Sequence, residues 1–233
     1  MRALCVLSAT FFLGCASQSD AAEERAPVEP CDDAAALVGE GTYYDFADGS
    51  GACGFPATPN DLMVGAMNLT DFADSAACGS CARVEGPEGS IDVRIVDLCP
   101  ECAPGDIDLS PQAFERIAPL EAGRVEIQWR YIPCAVDGSV IYHFKDGSNQ
   151  WWTAVQIRNA RHAIVSLEVD IDGAWVDVPR SDYNYFVREE GMGEGPFSFR
   201  ITDVTGAVLV DEGIPLLDDA DAQGAAQFAA CGG

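Results

Sequence analysis

The segment that decides the fold spans residues 93–110 and reads Val-Arg-Ile-Val-Asp-Leu-Cys-Pro-Glu-Cys-Ala-Pro-Gly-Asp-Ile-Asp-Leu-Ser. An alternating apolar strand runs into Asp97, a turn bounded by two cysteines follows, and Asp108 then lies on a second short apolar tract. This layout predicts that Asp97 and Asp108 lie at the ends of neighbouring segments and face one cleft. Because carboxylates in a groove commonly grip or cleave sugars, the segment indicates a glycan site.

Residues 40–134 surround this segment and form a first unit rich in glycine, aspartate and cysteine. Apolar and polar residues alternate over 124–131, which is typical of a half-buried strand. Further strand-like runs lie at 41–46, 63–66, 81–85 and 91–96. Ser110 followed by Pro111 predicts a short helix over 110–118, and a second is predicted over 68–73. Cysteine-rich strands with few helices indicate a compact β-barrel.

Residues 135–214 form a second unit, in which cysteines are absent and strands dominate. Alternation over 165–171 runs into Asp172-Gly173, which predicts a tight hairpin, and more short strands with regular turns follow. This spacing indicates a β-sandwich. The units meet near residues 134–138 with almost no linker, so we expect them to pack side by side. Residues 215–233 are interpreted as a C-terminal tail.

The N-terminus predicts export. Arg2 precedes an apolar run that is too short to span a bilayer, so residues 1–15 are interpreted as a signal peptide of the lipoprotein type. The sequence around Cys15 resembles a bacterial lipobox, which predicts lipidation of Cys15; plain cleavage after Ala16 is the alternative. Residues 16–39 are rich in Ala, Glu, Pro and Asp and predict a flexible acidic tether.

Eight cysteines lie beyond the signal region, and they allow two interpretations. An even number in an exported chain is typical of a disulfide framework. The alternative is a four-thiolate zinc ribbon, because Cys78, Cys81, Cys99 and Cys102 have the corresponding spacing. The exported context favours disulfides, and no metal is expected. A bond between Cys31 and Cys231 is a further hypothesis.

The charge pattern restricts the partners. The 233 residues carry a formal net charge of -25, so nucleic acid, anionic lipid and pectin-like polyanions should be repelled. Neutral partners fit better, although the charge could serve solubility alone. His143 and His162 are far apart in sequence and are interpreted as ordinary surface or edge residues. A glycine-rich phosphate loop and a Ser-His-Asp arrangement are not evident, and no cofactor is expected.

Several stretches of the two units, taken together and in their order along the chain, resemble the bacterial expansin-like group of the expansin family. The matching stretches of the first unit are Gly41-Thr42-Tyr43-Tyr44, Gly51-Ala52-Cys53-Gly54-Phe55, Cys78-Gly79-Ser80-Cys81, Val84-Glu85-Gly86-Pro87-Glu88-Gly89, Asp97-Leu98-Cys99-Pro100, Ile107-Asp108-Leu109-Ser110 and Ala113-Phe114. Those of the second unit are Phe144-Lys145-Asp146-Gly147-Ser148, Trp151-Trp152, Gln156-Ile157-Arg158-Asn159 and Tyr183-Asn184-Tyr185-Phe186-Val187.

The resemblance implies an all-β fold: an N-terminal six-stranded double-psi β-barrel packed against a C-terminal immunoglobulin-like β-sandwich that binds carbohydrate. It implies a polysaccharide-binding face in which Thr42, Asp97 and Asp108 line the barrel groove. An aromatic platform beside it would consist of Trp151, Trp152 and Tyr183, with Lys145 adjacent. The implied disulfides are Cys53–Cys78, Cys81–Cys134 and Cys99–Cys102, although bacterial relatives often have an aromatic residue at the position of Cys99.

The function that the resemblance implies is loosening of cell walls without cutting glycosidic bonds, by a secreted or cell-surface monomer that binds cellulose and associated neutral glucans. Contact with a membrane is expected only through the lipid anchor. Asp108 resembles the general acid of an endoglucanase family with the same barrel, but no matching base is found. The alternatives are a glycan-cleaving enzyme, either an endoglucanase or a peptidoglycan lytic transglycosylase, and a glycan-binding adhesin.

The tryptophans set a geometric condition. Adjacent residues of a regular strand point to opposite faces, so Trp151 and Trp152 can both contact a glucan only if the chain bulges, twists or lies in a loop there. Trp129 and Trp175 lie within strand patterns and are interpreted as packing residues.

Overall fold

The expected all-β architecture is confirmed in a computed structural model that describes residues 36–45 and 47–230. The predicted signal peptide, most of the tether, Cys15, Cys31 and Cys231 lie outside these residues. Within the described ranges, no helix is long and apolar enough to cross a membrane.

The first unit is a closed barrel of six strands in the order β1-β5-β2-β4-β3-β6. Its strands are β1 (Leu37–Tyr43), β2 (Val64–Asn68), β3 (Cys81–Gly86), β4 (Gly89–Cys99), β5 (Ile107–Leu109) and β6 (Val125–Ile132). The pairs β1–β5 and β2–β4 are parallel, and the other pairs are antiparallel. The barrel therefore begins at Leu37, inside the segment that the sequence assigned to the tether.

Two short helices and a 3₁₀ turn, Leu120–Ala122, complete the barrel. Helix α1 (Leu69–Phe72) begins after Asn68 and helix α2 (Pro111–Phe114) after Ser110, and each of these polar side chains accepts a backbone hydrogen bond from the first turn. The barrel core is filled by side chains that alternate along the strands, including Ile107, Leu109, Val93, Ile95 and Trp129.

The second unit consists of two four-stranded antiparallel sheets. One has the order β10-β9-β12-β13 and the other β11-β8-β7-β14. The strands are β7 (Ile141–Phe144), β8 (Thr153–Arg158), β9 (Ile164–Ile171), β10 (Ala174–Val178), β11 (Phe186–Arg188), β12 (Phe197–Asp203), β13 (Val208–Ile214) and β14 (Ala220–Gln223). Between the sheets, the rings of Tyr142 and Phe199 stack with centroids 5.1 Å apart.

The sandwich extends beyond the boundary predicted at residue 214. Strand β14, inside the predicted tail, pairs with β7 from Ala220 to Gln223, and Phe228 is buried in the sandwich core. The backbone N–H of Ala225 also donates to the buried Asp211 at 2.7 Å. The sequence missed this strand because its alanine and aspartate residues carry little apolar periodicity.

Three disulfides lie in the barrel: Cys53–Cys78, Cys81–Cys134 and Cys99–Cys102. They are the three pairs that the family resemblance implies. Because Cys78 and Cys81 bond to different partners outside the zinc-ribbon set, four thiolates are not available for a shared metal ion.

Candidate functional site

A row of paired residues crosses four adjacent barrel strands. Thr42 on β1 is paired with Asp108 on β5, Asp108 with Ala66 on β2, and Ala66 with Asp97 on β4. Directly paired residues project to the same face of a sheet, so Thr42, Asp108 and Asp97 lie on one surface. The flanking Ile107 and Leu109 are fully buried in the barrel, which places Asp108 on the outer surface.

The two aspartates are not on neighbouring strands, which corrects the sequence interpretation. Strand β2 lies between β4 and β5, so the Cα atoms of Asp97 and Asp108 are separated by about 10 Å, two strand spacings. The register shifts between Gly65 and Ala66, where Val96 is the extra residue of a bulge. Val93 and Ile95 are buried, so strict alternation would also turn Asp97 inward; the bulge places it on the outer face instead.

Asp97 is bound to the backbone around it. Its Oδ1 accepts hydrogen bonds from the N–H of Ala52 at 2.7 Å and of Leu98 at 2.9 Å. Gly51 lies so close that a Cβ there would be 2.5 Å from the Asp97 side chain. Asp97 therefore anchors the loop at residues 51–54 to the groove, and one of its oxygens is already engaged.

Asp108 is the freer carboxyl group. Thr42 Oγ1 donates a hydrogen bond to its Oδ1. Burial raises the pKa of Asp108 above its ordinary value, and the nearby charges of Glu101 and Asp97 raise this pKa further, while the Thr42 hydrogen bond and Arg124 oppose the rise. A partly buried carboxyl group with a raised pKa can both donate and accept hydrogen bonds to sugar hydroxyls.

Tyr44 is a site residue that the sequence analysis did not single out. Its Oη is buried and has no hydrogen-bond partner among the described residues. Burial raises the pKa of Tyr44, and the charges of Asp97, Asp108 and Asp48 raise it further, so the hydroxyl lies among the acids of the groove. Its place in the Thr-Tyr-Tyr motif was the available signal.

Trp151 and Trp152 lie in a turn rather than in a strand. The side-chain oxygen of Asn149 accepts the backbone N–H of both tryptophans, at 2.9 and 3.2 Å. Trp151 is 71% exposed. Trp152 packs against the cluster formed by Ala154, Tyr185 and Val187. The turn thus removes the strand geometry that would send adjacent side chains to opposite faces.

Trp151 and Trp152 form an aromatic surface, and further groups extend it. Tyr183 is 39% exposed, and its ring centroid is 5.7 Å from that of Tyr185. Lys145 Nζ lies 5.9 Å from the centroid of the Tyr185 ring. Trp152 Nε1 donates to Glu189 at 3.1 Å. Tyr185 and Glu189 were not predicted as site residues, although Tyr185 follows Tyr183 at the strand period.

The loop at residues 51–54 connects the groove to the aromatic surface. The N–H of Ala52 binds Asp97 in the groove. Two residues later, a Cβ at Gly54 would lie 3.3 Å from the carbonyl oxygen of Tyr183 and 3.4 Å from the Tyr185 ring. Ser75 Oγ also donates to the carbonyl oxygen of Ser181 at 2.8 Å.

The other two tryptophans lie elsewhere. Trp129 is buried in the barrel, and Trp175 lies on the other sheet under the Arg200 guanidinium at 4.7 Å. His143 and His162 are both buried, which corrects their interpretation as surface or edge residues. Within the described part of the chain, no three His, Cys, Asp or Glu side chains are grouped to hold a metal ion.

Comparison with known proteins gives consistent matches. A family model described as lytic transglycolase matches residues 37–129. Expansin-YoaJ of Bacillus subtilis is 36% identical over 185 residues, which cover 78% of this chain and 79% of that protein. Expansin-like protein 1 of Dictyostelium discoideum is 31% identical over 182 residues, which cover 72% of this chain and 63% of that protein.

Solved structures agree with these matches. The crystal structure of apo Clavibacter michiganensis expansin has a TM-score of 0.78 and 30% identity, and the match covers 83% of this chain and 98% of that one. A mutant of that expansin in complex with cellohexaose has the same TM-score, 29% identity and the same coverage. The similarity to the Bacillus protein and to these structures covers both the barrel and the sandwich, and the chain therefore belongs to the expansin family.

Proposed function

We propose that this protein binds cellulose and related neutral glucans along the groove and the aromatic surface, and loosens the non-covalent contacts between chains without cutting them. Thr42, Asp97 and Asp108 contact the glucan in the groove. Trp151, Trp152 and Tyr183 stack on its flat faces, with Lys145 beside them. Membership in the expansin family supports this proposal, as does the cellohexaose complex of the Clavibacter relative.

The observation that carries the proposal is the loop at residues 51–54, which touches both halves of the surface. The N–H of Ala52 binds Asp97 in the groove, and Gly54 lies close enough to the backbone of Tyr183 that an added Cβ would be 3.3 Å from its carbonyl oxygen. A glucan chain lying on the rings is thereby directed toward the acids. Each ring that removes about 80–100 Å² of apolar surface from water contributes roughly 2 kcal/mol to binding.

Non-hydrolytic action is supported by the different surroundings of the two aspartates. An inverting glycosidase needs one protonated and one ionised carboxyl group, with a water molecule between base and sugar. Asp108 has the raised pKa of an acid, but an oxygen of Asp97 is already bound to two backbone N–H groups. Asp97 thus acts as a loop anchor rather than as a base.

One observation favours a second candidate, a glycan-cleaving enzyme. The family model matched by the barrel is described as lytic transglycolase, and Asp108 could serve as the acid of such a reaction. Assays of reducing ends on amorphous cellulose and of soluble fragments from peptidoglycan test this candidate. Release that depends on Asp108 would replace the first proposal.

The location and assembly form part of the same proposal. The protein acts outside the cell, where the disulfides of its barrel are stable, as a monomer that is secreted or held at the cell surface by a lipid on Cys15. Mass spectrometry of the mature N-terminus tests lipidation, and light scattering tests the monomer.

The decisive experiment measures binding, soluble sugar and mechanical weakening side by side on pure cellulose paper. The proposal expects binding and weakening with no released sugar. Binding without weakening would instead identify an adhesin, and weakening that tracks released sugar would identify a hydrolase.

A further inference from the structure

A second cleft lies between the barrel and the sandwich, with a volume of about 210 Å³. Its barrel wall includes Phe55 and Arg94, and its sandwich wall includes His162, Arg180 and Phe186. The groove aspartates and the exposed rings of the aromatic surface are not among its lining residues. The cleft is therefore separate from the proposed glucan surface.

The charge of this cleft is opposite to that of the whole chain. The protein has 38 acidic residues and 13 Lys or Arg. Yet the described residues that line the cleft include three arginines and one histidine, and none is acidic. Arg158 is paired with Asp221 at 3.5 Å, but Arg94 and Arg180 have no carboxylate oxygen within 4.0 Å in the described ranges.

Arg94 is held in place without being neutralised. Its guanidinium lies 5.5 Å from the centroid of the Phe55 ring, and its Nη2 makes a long hydrogen bond of 3.4 Å to Thr58 Oγ1. Its Nε is buried without a partner among the described residues. Burial lowers the pKa of Arg94, opposed by the charge of Asp61. A buried cation with an unused N–H suits an anionic ligand.

Arg180 and His162 present the same features from the sandwich side. The Arg180 guanidinium stacks 4.4 Å from the Phe186 centroid and donates to Asn184 Oδ1 and to the carbonyl oxygen of Ile164. Both acceptors are neutral, and burial lowers the pKa of Arg180 to about 10. His162 is 3% exposed; its Nε2 lies 3.0 Å from the carbonyl oxygen of Ala229, and its Nδ1 is buried without a partner in the described chain.

We propose that this cleft binds a small oxyanion between Arg94 of the barrel and Arg180 of the sandwich, beside His162. Guanidinium groups match the oxygens of a carboxylate or phosphate, and an aromatic ring lies beside each of these two guanidinium groups. The volume holds one such group with water, whereas a polyanion is repelled by the net charge of -25.

Two sources can supply this oxyanion: free inorganic phosphate, or the carboxylate of a free uronic acid. Either ligand bridges the two domains behind the glucan surface. The proposal does not depend on glucan binding, because the cleft and the glucan surface are separate sites. A cellulose pull-down reports on the aromatic surface, whereas anion binding reports on the cleft.

The test is isothermal titration of the full mature chain with inorganic phosphate and, separately, with galacturonate; glucose serves as the uncharged control. The probes are titrated into wild type, Arg94→Gln, Arg180→Gln and Arg83→Gln. Arg83 is exposed and paired with Asp92 at 2.7 Å outside the cleft, so its variant removes the same charge elsewhere. We expect Arg94→Gln and Arg180→Gln each to weaken binding by about tenfold or more, and Arg83→Gln to leave it unchanged.

Binding of phosphate alone, of galacturonate alone or of both supports the proposal and identifies the source. The proposal is overturned if neither probe binds, or if Arg94→Gln binds as tightly as wild type. Circular dichroism checks that Arg180→Gln is folded; if it is not, Arg94→Gln decides the outcome, because Arg94 makes one weak side-chain hydrogen bond.

Discussion

The side-chain amide of Gln156 donates a hydrogen bond of 2.9 Å to the carbonyl oxygen of Cys53, and this contact joins the sandwich to the loop that holds Asp97. Asn184 Nδ2 donates to the same carbonyl at 3.2 Å. Cys53 is in turn bonded to Cys78 of the barrel. One backbone oxygen thus couples the position of the groove to the position of the aromatic surface.

Gln156→Leu should weaken this coupling. The change removes the donor to Cys53 and the acceptor that Arg158 Nε uses at 2.6 Å, in a fully buried position. We expect the free energy of unfolding to fall by about 1–3 kcal/mol, and the weakening of cellulose paper to fall more than binding does. Urea denaturation measures the first effect, and paper strength against bound protein measures the second.

Gln223→Leu is the matched control, since Gln223 lies on the same sheet but is exposed. It should leave stability within about 0.5 kcal/mol of wild type. If Gln156→Leu loosens paper as well as wild type at equal bound protein, the coupling has no functional role.

Replacing Trp151 or Trp152 by alanine should affect cellulose binding and protein stability to different degrees. Trp151→Ala removes a ring that is 71% exposed, so we expect cellulose binding to weaken by roughly 2 kcal/mol with little change in the free energy of unfolding. Trp152→Ala also removes packing on the cluster of Ala154, Tyr185 and Val187, so it should lower both the binding and the free energy of unfolding. Depletion assays on crystalline cellulose and urea denaturation give the two values.

Because cellulose is an uncharged polymer, binding to crystalline cellulose should persist in high salt. Trp175→Ala is the matched control, because Trp175 lies on the opposite sheet beneath Arg200. Equal losses of binding in Trp175→Ala and Trp151→Ala would show that the aromatic surface is not the binding face.

The sequence predicted those parts of the fold that have strong periodicity. The strands around 125–131 and 165–171, the Asp172-Gly173 hairpin and the helix starts at Asn68 and Ser110 all carry local physical signals. Strand β5 is three residues long, too short for a pattern, yet it carries Asp108. Strand β2 lies between the strands that carry Asp97 and Asp108 because of the crossover connections of the barrel, and no local sequence pattern predicts that strand order.

The site was predicted less completely for similar reasons. Tyr44 and Tyr185 belong to quoted motifs, but their burial beside acids or rings depends on tertiary packing. His162 is buried because the C-terminal segment at Ala229 covers it, and that segment was interpreted as a tail. The sequence alone gave no reason to bring Arg94 and Arg180, which are distant along the chain, to one cleft.

Asp108→Asn should abolish wall loosening and also change the dependence of stability on pH. Since burial raises the pKa of Asp108 in the folded state, the folded protein binds this proton more tightly than the unfolded chain does. Its contribution to stability is therefore present at low pH and is lost as pH rises from the ordinary value of 3.8 through the raised pKa. Asparagine removes this loss, so the variant should be relatively more stable at neutral pH.

Melting temperature against pH for wild type and Asp108→Asn measures this difference, and extensometer assays measure loosening. Glu88→Gln is the control, because Glu88 is an exposed carboxyl group on the turn between β3 and β4. Parallel pH profiles for wild type and Asp108→Asn would contradict the raised pKa, and retained loosening would exclude Asp108 from the function.

The three disulfides should stabilise the fold in the order of the loops they close. Paired replacement by alanine should cost about 4 kcal/mol for Cys81–Cys134, about 3.5 kcal/mol for Cys53–Cys78 and about 2 kcal/mol for Cys99–Cys102, because their sequence separations are 53, 25 and 3. The loop after Cys99 is also held by the Trp129 Nε1 bond to the Gly105 carbonyl at 2.7 Å, so it should remain in place without its disulfide. Urea denaturation of the three double variants gives the order. A largest loss for the Cys99–Cys102 variant would mean that this bond acts on the folded groove beside Asp108 rather than on the entropy of the unfolded chain.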